Sequence, residues 1–245
     1  MFKHQGESRT AKHNLQIAII LSFVAGIVNV SGFLSIKELI THVTGHFAFF
    51  IYNLADLKFW KGTIYLLYIL CFLFGSFTSS FLIEKFRATK KLNIFAIPII
   101  LESSILLFIA FFSNIEGALH AEIIACFLLF AMGLQNSYVT KISDTVVRTT
   151  HLTGLFTDLG IELSYLFFSK YYPIKTKIKS SIKLRMYIIF FFFFGVLVGG
   201  FLYAEMQWEL NTLAAAAFIL LISLFYDDLK YRLNRSRKII ADRFR

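Results

Sequence analysis

Two short blocks decide the fold: HVTGHF at residues 42–47 and HLTGLF at residues 151–156. The second block repeats the His-x-Thr-Gly pattern of the first after 109 residues, from 42 to 151. Each block follows a Gly-x-x-Asn sequence, GIVN at residues 26–29 and GLQN at residues 133–136, and these lie 107 residues apart, from 26 to 133. Because two motifs recur in the same order at nearly the same spacing, the sequence predicts an internal repeat.

The sequence around these blocks is too apolar for an ordinary water-soluble domain. Its 245 residues are 57% hydrophobic and 16% charged, with a mean hydropathy of +0.68, against about 45–50% apolar and about 25% charged in soluble domains. This composition excludes disordered, collagen-like and disulfide-stapled chains. Six apolar runs are long enough to cross about 30 Å of hydrocarbon as helices, which predicts an all-α membrane protein with six spans. They cover residues 15–36, 60–83, 93–112, 122–139, 186–203 and 210–226.

The connections between these runs are of two kinds. Lysine and arginine gather between the second and third runs, between the fourth and fifth runs, and after Asp228, whereas the connections around Glu116 and Glu205 carry acids without lysine or arginine. The positive-inside rule therefore predicts a multi-pass protein of the plasma or inner membrane with both termini in the cytoplasm. This orientation, together with anionic lipid at the cytoplasmic face, explains the formal net charge of +10, so no nucleic-acid partner is expected.

The repeat and the runs together predict how the chain is organised. Because each half has three runs, the second half enters the membrane from the opposite side, which makes a 3+3 inverted repeat. The segments at residues 42–53 and 151–168 are too short or too polar for full spans, so we expect two re-entrant or broken helices there. The basic tail is expected to lie on anionic lipid as an interfacial helix. The units are a cytoplasmic N-terminus at 1–14, a first three-span repeat at 15–112, a second at 113–226 and a cytoplasmic tail at 227–245.

The Thr-Gly pairs are the first candidates for a binding site. Thr44 and Thr153 are expected to cap helix starts through their hydroxyl groups. Gly45 and Gly154 would leave backbone N–H groups and the positive end of a helix dipole facing inward. If the two starts meet near the membrane midplane, they form a site for an anion or another polar ligand. The alternative is that each Thr-Gly pair marks a surface turn before an interfacial helix.

Three amides beside the repeated glycines are the next candidates. Asn29, Gln135 and Asn136 lie on the first and fourth spans, which face each other in the expected fold. Their side chains offer uncharged donors and acceptors, so we expect contacts to the transported solute. The alternative is that they hydrogen-bond one helix to another.

Four titratable residues are candidates for proton coupling. Glu102 lies in the middle of the third run, where a charged acid costs roughly 2.5 to 3.5 kcal/mol on insertion scales, so such a residue usually has a function. His42 and His46 are four residues apart, on one face of a helix, and His151 occupies the equivalent place in the second half. These histidines are expected to relay protons. A zinc or copper site would need a third ligand that the sequence does not identify, so no metal or cofactor is expected.

Asp158 and Glu162 also lie on one helix face, four residues apart. A solvated vestibule and a cation site are both open interpretations of this acidic pair.

Four blocks of the sequence resemble the YoaK family, six-span bacterial membrane proteins grouped under a domain of unknown function. Members usually have Asp where this chain has Asn29, and Asn where it has His46. The resemblance covers nearly the whole chain and implies the six-span fold and suspected transport, without naming a substrate. The blocks are residues 25–33, 42–45, 132–136 and 149–154.

These features predict a secondary transporter or permease that carries a small polar or anionic solute by alternating access. A passive channel or a membrane scaffold is the alternative. A membrane-embedded enzyme is not expected, because the sequence lacks G-x-S-x-G, H-E-x-x-H or another legible set of nucleophile and base. A homodimer is a further possibility, since Gly195 and Gly199 form a small-residue face on the fifth span.

Overall fold

The computed structural model describes residue 2 and residues 9–87, 93–113, 120–168 and 175–243. Across these ranges the chain forms eight α-helices and one short 3-10 turn, with no strand. This confirms the predicted all-α class. The helices are α1 (Ala11–Ile36), α2 (Val43–Ala55), α3 (Phe59–Phe86), α4 (Ala96–Phe112), α5 (Ala121–Ile142), α6 (Leu152–Phe167), α7 (Lys175–Ala204) and α8 (Thr212–Arg243), with the 3-10 turn at Glu209–Asn211.

Five of the six predicted runs fall in helices that are long and apolar enough to cross a membrane. These are α1, α3, α5, α7 and the stretch Glu209–Tyr226, which joins the 3-10 turn to the first half of α8. The run predicted at 93–112 forms α4, which is apolar but has only 17 residues. At 1.5 Å per residue α4 is about 26 Å long, a little less than the hydrocarbon core.

Two basic segments, one before the fifth apolar run and one at the C-terminal end, continue the neighbouring helices. α7 begins at Lys175, so the lysines that precede the fifth run belong to the same helix as that run. The basic tail, expected as a separate interfacial helix, continues α8 without a break as far as Arg243. Both corrections have one cause, because lysine and arginine are good helix formers and nothing in these stretches ends a helix.

Glycines allow two pairs of long helices to approach closely. A methyl group at Gly26 of α1 would overlap the backbone carbonyl oxygen of Phe192 of α7, and one at Gly195 would overlap that of Phe23. Gly199 also faces α1, at Ile27. The face that Gly195 and Gly199 were expected to offer to a second copy of the chain is therefore covered by α1.

The same contact occurs between α3 and α5. A methyl group at Gly133 of α5 would overlap the carbonyl oxygen of Phe72 of α3, and one at Gly75 would overlap that of Phe130. Backbones this close leave no room for a Cβ, so both helix pairs depend on glycine.

The remaining helices complete the bundle around α1 and α5. α1 and α5 also contact each other, α4 packs against α5 and α8, and α8 packs against α1. α2 lies on α3, and α6 lies on α7. The outer faces of α3 and α7 expose large apolar side chains, among them Phe74, Phe77, Phe194 and Leu197. Such faces fit a lipid environment, in which apolar exposure costs nothing.

Candidate functional site

The two repeated asparagines each hold the connection that follows their own helix. The Thr41 hydroxyl donates to Asn29 Oδ1 at 2.9 Å, and the Thr150 hydroxyl donates to Asn136 Oδ1 at 2.7 Å. Each bond ties the end of a long helix, α1 or α5, to the residues just before a shorter one, α2 or α6. Both asparagines are half-buried, and the Nδ2 of Asn136 also donates to the Met132 carbonyl at 2.8 Å.

Gln135 joins α5 to α1. Its side chain is fully buried, and its Nε2 donates to the Leu21 carbonyl at 2.8 Å and to the Thr149 hydroxyl at 3.2 Å. Its Oε1 has no hydrogen-bond partner among the described residues. A buried acceptor without a donor costs stability, so this oxygen is available to a ligand group or a water molecule.

Histidine occupies the N-cap position of both helices, which corrects the expected caps, although the His151 side chain makes no capping hydrogen bond. His42 is the N-cap of α2, and its Nδ1 accepts from the Gly45 N–H at 3.1 Å. His151 is the N-cap of α6. Thr44 and Thr153 are instead exposed second residues of these helices.

The two glycines of the Thr-Gly pairs make room for these rings. A methyl group at Gly45 would lie 2.6 Å from His42 Nδ1, and Gly154 is in the same position under the ring of His151. Because the Gly45 N–H is already bonded to His42, it is not one of the free inward-facing groups expected at this helix start.

The structure does not bring the two helix starts into contact. In the ranges described, α2 packs against α3 and α6 against α7, and neither contacts the other. What lies between them is the contact of α1 with α5, where Gln135 is bonded.

Glu102 is fully buried between α4 and α5. Its Oε2 accepts from the Tyr138 hydroxyl at 2.7 Å, and its Oε1 has no partner in the described part of the chain. The described residues also give it no ion pair. A buried carboxyl group with only one hydrogen bond is costly, so this site is unusual for a helix interior.

His46 and Glu38 meet beside the end of α1, next to α3. His46 Nε2 lies 2.8 Å from the Leu39 carbonyl, its Nδ1 lies 3.8 Å from Glu38 Oε2, and the Tyr65 hydroxyl donates to Glu38 Oε1 at 3.4 Å. Burial raises the pKa of the Glu38 carboxyl, although the hydrogen bond from Tyr65 lowers it. His42 is exposed on the helix start, so the two histidines have separate partners.

The acidic pair on α6 is bound by a cation of the protein itself. Arg185 of α7 donates to Asp158 Oδ2 at 2.9 Å and to Glu162 Oε1 at 2.8 Å. This contact fastens α6 to α7. It also neutralises the negative charge of the acidic pair, which the sequence left open to interpretation as a solvated vestibule or a cation site.

The described residues contain no group of three or more His, Cys, Asp or Glu side chains that could hold a metal ion.

Four functional partners were absent from the sequence reasoning. Tyr138 could have been found, because it lies three residues after Gln135 and so on the same helix face. Arg185 precedes the fifth apolar run in the sequence, and only the structure shows that it belongs to α7. The contacts of Glu38 with His46 and Tyr65 depend on tertiary structure, since no local spacing links Glu38 to α3.

The fold and these buried polar pairs define the class of the protein: an integral membrane protein of apolar helices with polar contacts held between them. The chain belongs to the family described as "Protein of unknown function (DUF1275)", whose model matches residues 17–226. No curated protein and no solved structure matches the chain. Membership of a family of unknown function confirms that part of the resemblance and assigns no activity.

Proposed function

We propose that the protein is a secondary transporter of a small polar or anionic solute, with its site between α1 and α5, flanked by the two Thr-Gly helix starts. In this proposal α4 spans the membrane as well, so six spans form a 3+3 inverted repeat. Both termini lie in the cytoplasm of a bacterial cell, next to anionic lipid, and the chain is a YoaK-type member of its family.

The observation that carries this proposal is a duplicated set of contacts. The bond from Thr41 to Asn29 has its counterpart 107 to 109 residues later in the bond from Thr150 to Asn136. The packing of Gly26 against the Phe192 carbonyl likewise has its counterpart in the packing of Gly133 against Phe72. In both sets of contacts equivalent residues of the two halves are used, as a pseudo-twofold axis requires. In many transporters a repeat of this kind provides two alternative arrangements around one site.

The position of the first helix start supports a broken helix rather than a surface turn. Ile36, at the end of α1, packs against the cluster that contains Tyr68 of α3. Tyr68 lies nine residues into α3, which begins at Phe59, so it is about 14 Å from that end of the helix. α2 therefore begins well below that end of α3 rather than at the end of the bundle.

The glycine contacts suggest which parts of the molecule move. α1 is locked to α7, and α3 is locked to α5, so the two sequence halves are interlocked and do not rock as separate units. We propose that α2–α5 form one body and that α1 with α6–α8 forms the other. The contacts of α1 with α5 and of α4 with α8 lie between the two bodies.

The chemistry of the interface fits a polar solute and a coupling proton. Asn29, Gln135 and Asn136 present amide groups near the contact of α1 with α5, and amides bind neutral polar groups and anions alike. Glu102 is the proton carrier in this proposal, with His42, His46 and His151 as relays nearer the two helix starts. No enzymatic step is proposed, since no nucleophile and base are paired at this interface.

Ligand-induced thermal stabilisation of the purified protein in detergent tests the binding site. We expect one class among inorganic anions, nucleobases and organic acids to raise the unfolding temperature in a saturable way, because specific binding stabilises the native state by mass action. The shift should disappear in Asn29→Ala and Asn136→Ala. It should remain in Gly160→Ala, which lies on the exposed face of α6 with nothing within 4 Å.

Uptake into proteoliposomes tests transport itself. Saturable uptake of the stabilising solute is expected, and a proton gradient should accelerate it. Glu102→Gln should abolish this acceleration. Conductance that rises with concentration without saturating would contradict the transporter and indicate a channel. If no solute of the panel were bound or taken up, the result would contradict the transporter and favour a membrane scaffold.

A further inference from the structure

We propose that Glu38 and His46 form a binding site for a single proton, and that this proton fastens α2 to the end of α1 and to α3. We name these two residues the Glu38–His46 pair. The inference deepens the proposed function by adding Glu38 to the proton-coupling residues, and it rests on that function only for the role of the proton in transport.

The hydrogen bonds around His46 fix which of its nitrogens carries the proton. Nε2 lies 2.8 Å from the Leu39 carbonyl oxygen, which can only accept, so Nε2 must be the donor. In the neutral ring Nδ1 then has a lone pair and no hydrogen. Nδ1 has no hydrogen-bond partner among the described residues and faces Glu38 Oε2 at 3.8 Å. Two acceptors therefore face each other, and only a donor between them makes the contact favourable.

A proton fits this gap better than a larger cation. His46 is 1% exposed, and rings of α3 pack against it, with the Tyr68 centroid 5.2 Å and the Tyr65 centroid 6.0 Å from the imidazole. An ammonium group or a hydrated ion would have to displace these rings, whereas a proton needs no space. A metal ion would also need a third ligand, and no suitable group of three is found in the ranges that the structure describes.

Glu38 is the more exposed member of the pair. Its side chain is 21% exposed while that of His46 is 1% exposed. The Tyr65 hydroxyl donates to the other carboxylate oxygen, Oε1, and holds the group in place. The other titratable groups around the pair are His42 on α2, Tyr65 and Tyr68 on α3, and Glu122 and Cys126 of α5 on the far side of Tyr68.

Protonation therefore controls how firmly α2 is held. With one proton bound, an N–H···O or O–H···N bond joins the connection after α1 to α2. Without it, the carboxylate faces the imidazole lone pair and the contact becomes repulsive. α3 is the only helix against which α2 packs in the described structure. α2 is accordingly held more firmly at low pH and less firmly once the pH has risen through the titration of the pair.

Hydrogen–deuterium exchange of the full chain in detergent tests this proposal without requiring transport. After correction for the intrinsic exchange rate, protection of the α2 amides is expected to fall about tenfold between pH 5 and pH 8, the factor that corresponds to one pKa unit. In Glu38→Gln the side-chain amide donates to Nδ1 at every pH, so α2 should stay protected throughout. Asp56→Asn is the matched control, since Asp56 is an exposed acid at the other end of α2. That variant should keep the pH dependence.

The proposal would be overturned if the protection of the α2 amides in the wild type did not change between pH 5 and pH 8. It would also be overturned if Glu38→Gln showed the same loss of protection as the wild type. Should Glu38→Gln not fold, nitrogen NMR of selectively labelled histidine in the wild type decides. His46 is expected to show a proton on Nε2 at pH 8 and a second, shared proton at Nδ1 below the titration. If the His46 ring carried its proton on Nδ1 at pH 8, the proposed proton site would be contradicted. Both readouts are independent of solute uptake, so their failure is distinct from failure of the transporter proposal.

Discussion

Single side chains in this protein are held in place by partners on other helices. Glu102 of α4 depends on the hydroxyl of Tyr138 on α5, and Gln135 depends on a backbone carbonyl of α1. In a low-dielectric interior such bonds are strong because the alternative, an unpaired polar group, is expensive. These hydrogen bonds therefore stabilise the packing of α4 on α5 and of α5 on α1.

Replacement of Tyr138 tests the buried carboxyl. Tyr138→Phe removes the hydrogen bond to Glu102 and leaves a buried oxygen without a donor, so we expect a loss of about 1–3 kcal/mol of stability. The free energy of unfolding in detergent measures it. Tyr52→Phe, at an exposed tyrosine of α2, should change stability little. Adding Glu102→Gln to Tyr138→Phe should cost less than the sum of the two single changes, and full additivity would argue against the contact.

Replacement of Arg185 tests how α6 is held. Arg185→Gln leaves Asp158 and Glu162 facing each other without a cation. We expect a loss of about 1–3 kcal/mol, between the values of exposed and buried ion pairs. The loss should appear as faster amide exchange in α6. Lys141→Gln breaks the more exposed pair with Glu84 and should leave α6 unchanged. Equal exchange in both variants would show that Arg185 does not hold α6.

At the scale of helices, glycines define the pairs that stay together. Gly26 and Gly195 join α1 to α7, and Gly75 and Gly133 join α3 to α5. A backbone cannot rotate away from such a contact as a side chain can. The two members of each pair pack backbone to backbone, although they come from different halves of the sequence.

Alanine at these glycines is expected to separate the helix pairs. In Gly26→Ala the new methyl group meets backbone atoms of Phe192 and Val196, which cannot move aside, so we expect destabilisation by about 1–3 kcal/mol. Gly133→Ala should behave alike. Gly200→Ala on α7 is the control, because its methyl group would lie 3.7 Å from Val30, an ordinary contact. Thermal unfolding in detergent measures the three variants, and a stable Gly26→Ala protein would contradict this packing.

At the scale of the whole molecule, the proposed topology depends on whether the 17-residue α4 crosses the membrane. If it does, the connections before and after it lie on opposite sides. Arg87 precedes α4 and His120 follows it. Orientation and span number are thus tested together by these two positions.

Thiol labelling in intact cells measures this topology. In a background with Cys71 and Cys126 replaced by serine, an impermeant maleimide should label His120→Cys from outside. It should label Arg87→Cys only after the cells are opened, because the basic connection is cytoplasmic. Asp56→Cys, expected on the same side as residue 120, is the positive control. Labelling of residues 87 and 120 from one side would exclude α4 as a span.

Much of the fold followed from short-range patterns. Apolar runs located the helices at α1, α3, α5 and α7 to within a few residues, except at the start of α7, because burial in lipid depends on composition along the chain. The start of α7 and the continuation of α8 were not predicted, since charged residues continue a helix as readily as they end a span. The helix caps were assigned to threonine because the pattern alone does not show that the His42 ring reaches the Gly45 amide.

The sequence by itself determined the all-helical membrane class, the recurrence of Gly-x-x-Asn and His-x-Thr-Gly, and the candidates Asn29, Gln135 and Glu102. These follow from local composition and spacing, which do not depend on how the helices pack. Only the tertiary structure decided that Asn29 bonds Thr41, that Tyr138 reaches Glu102, and that α1 interlocks with α7. Such contacts join residues far apart in sequence, and the close approach of two backbones at glycine, rather than any local pattern, determines which of them can form.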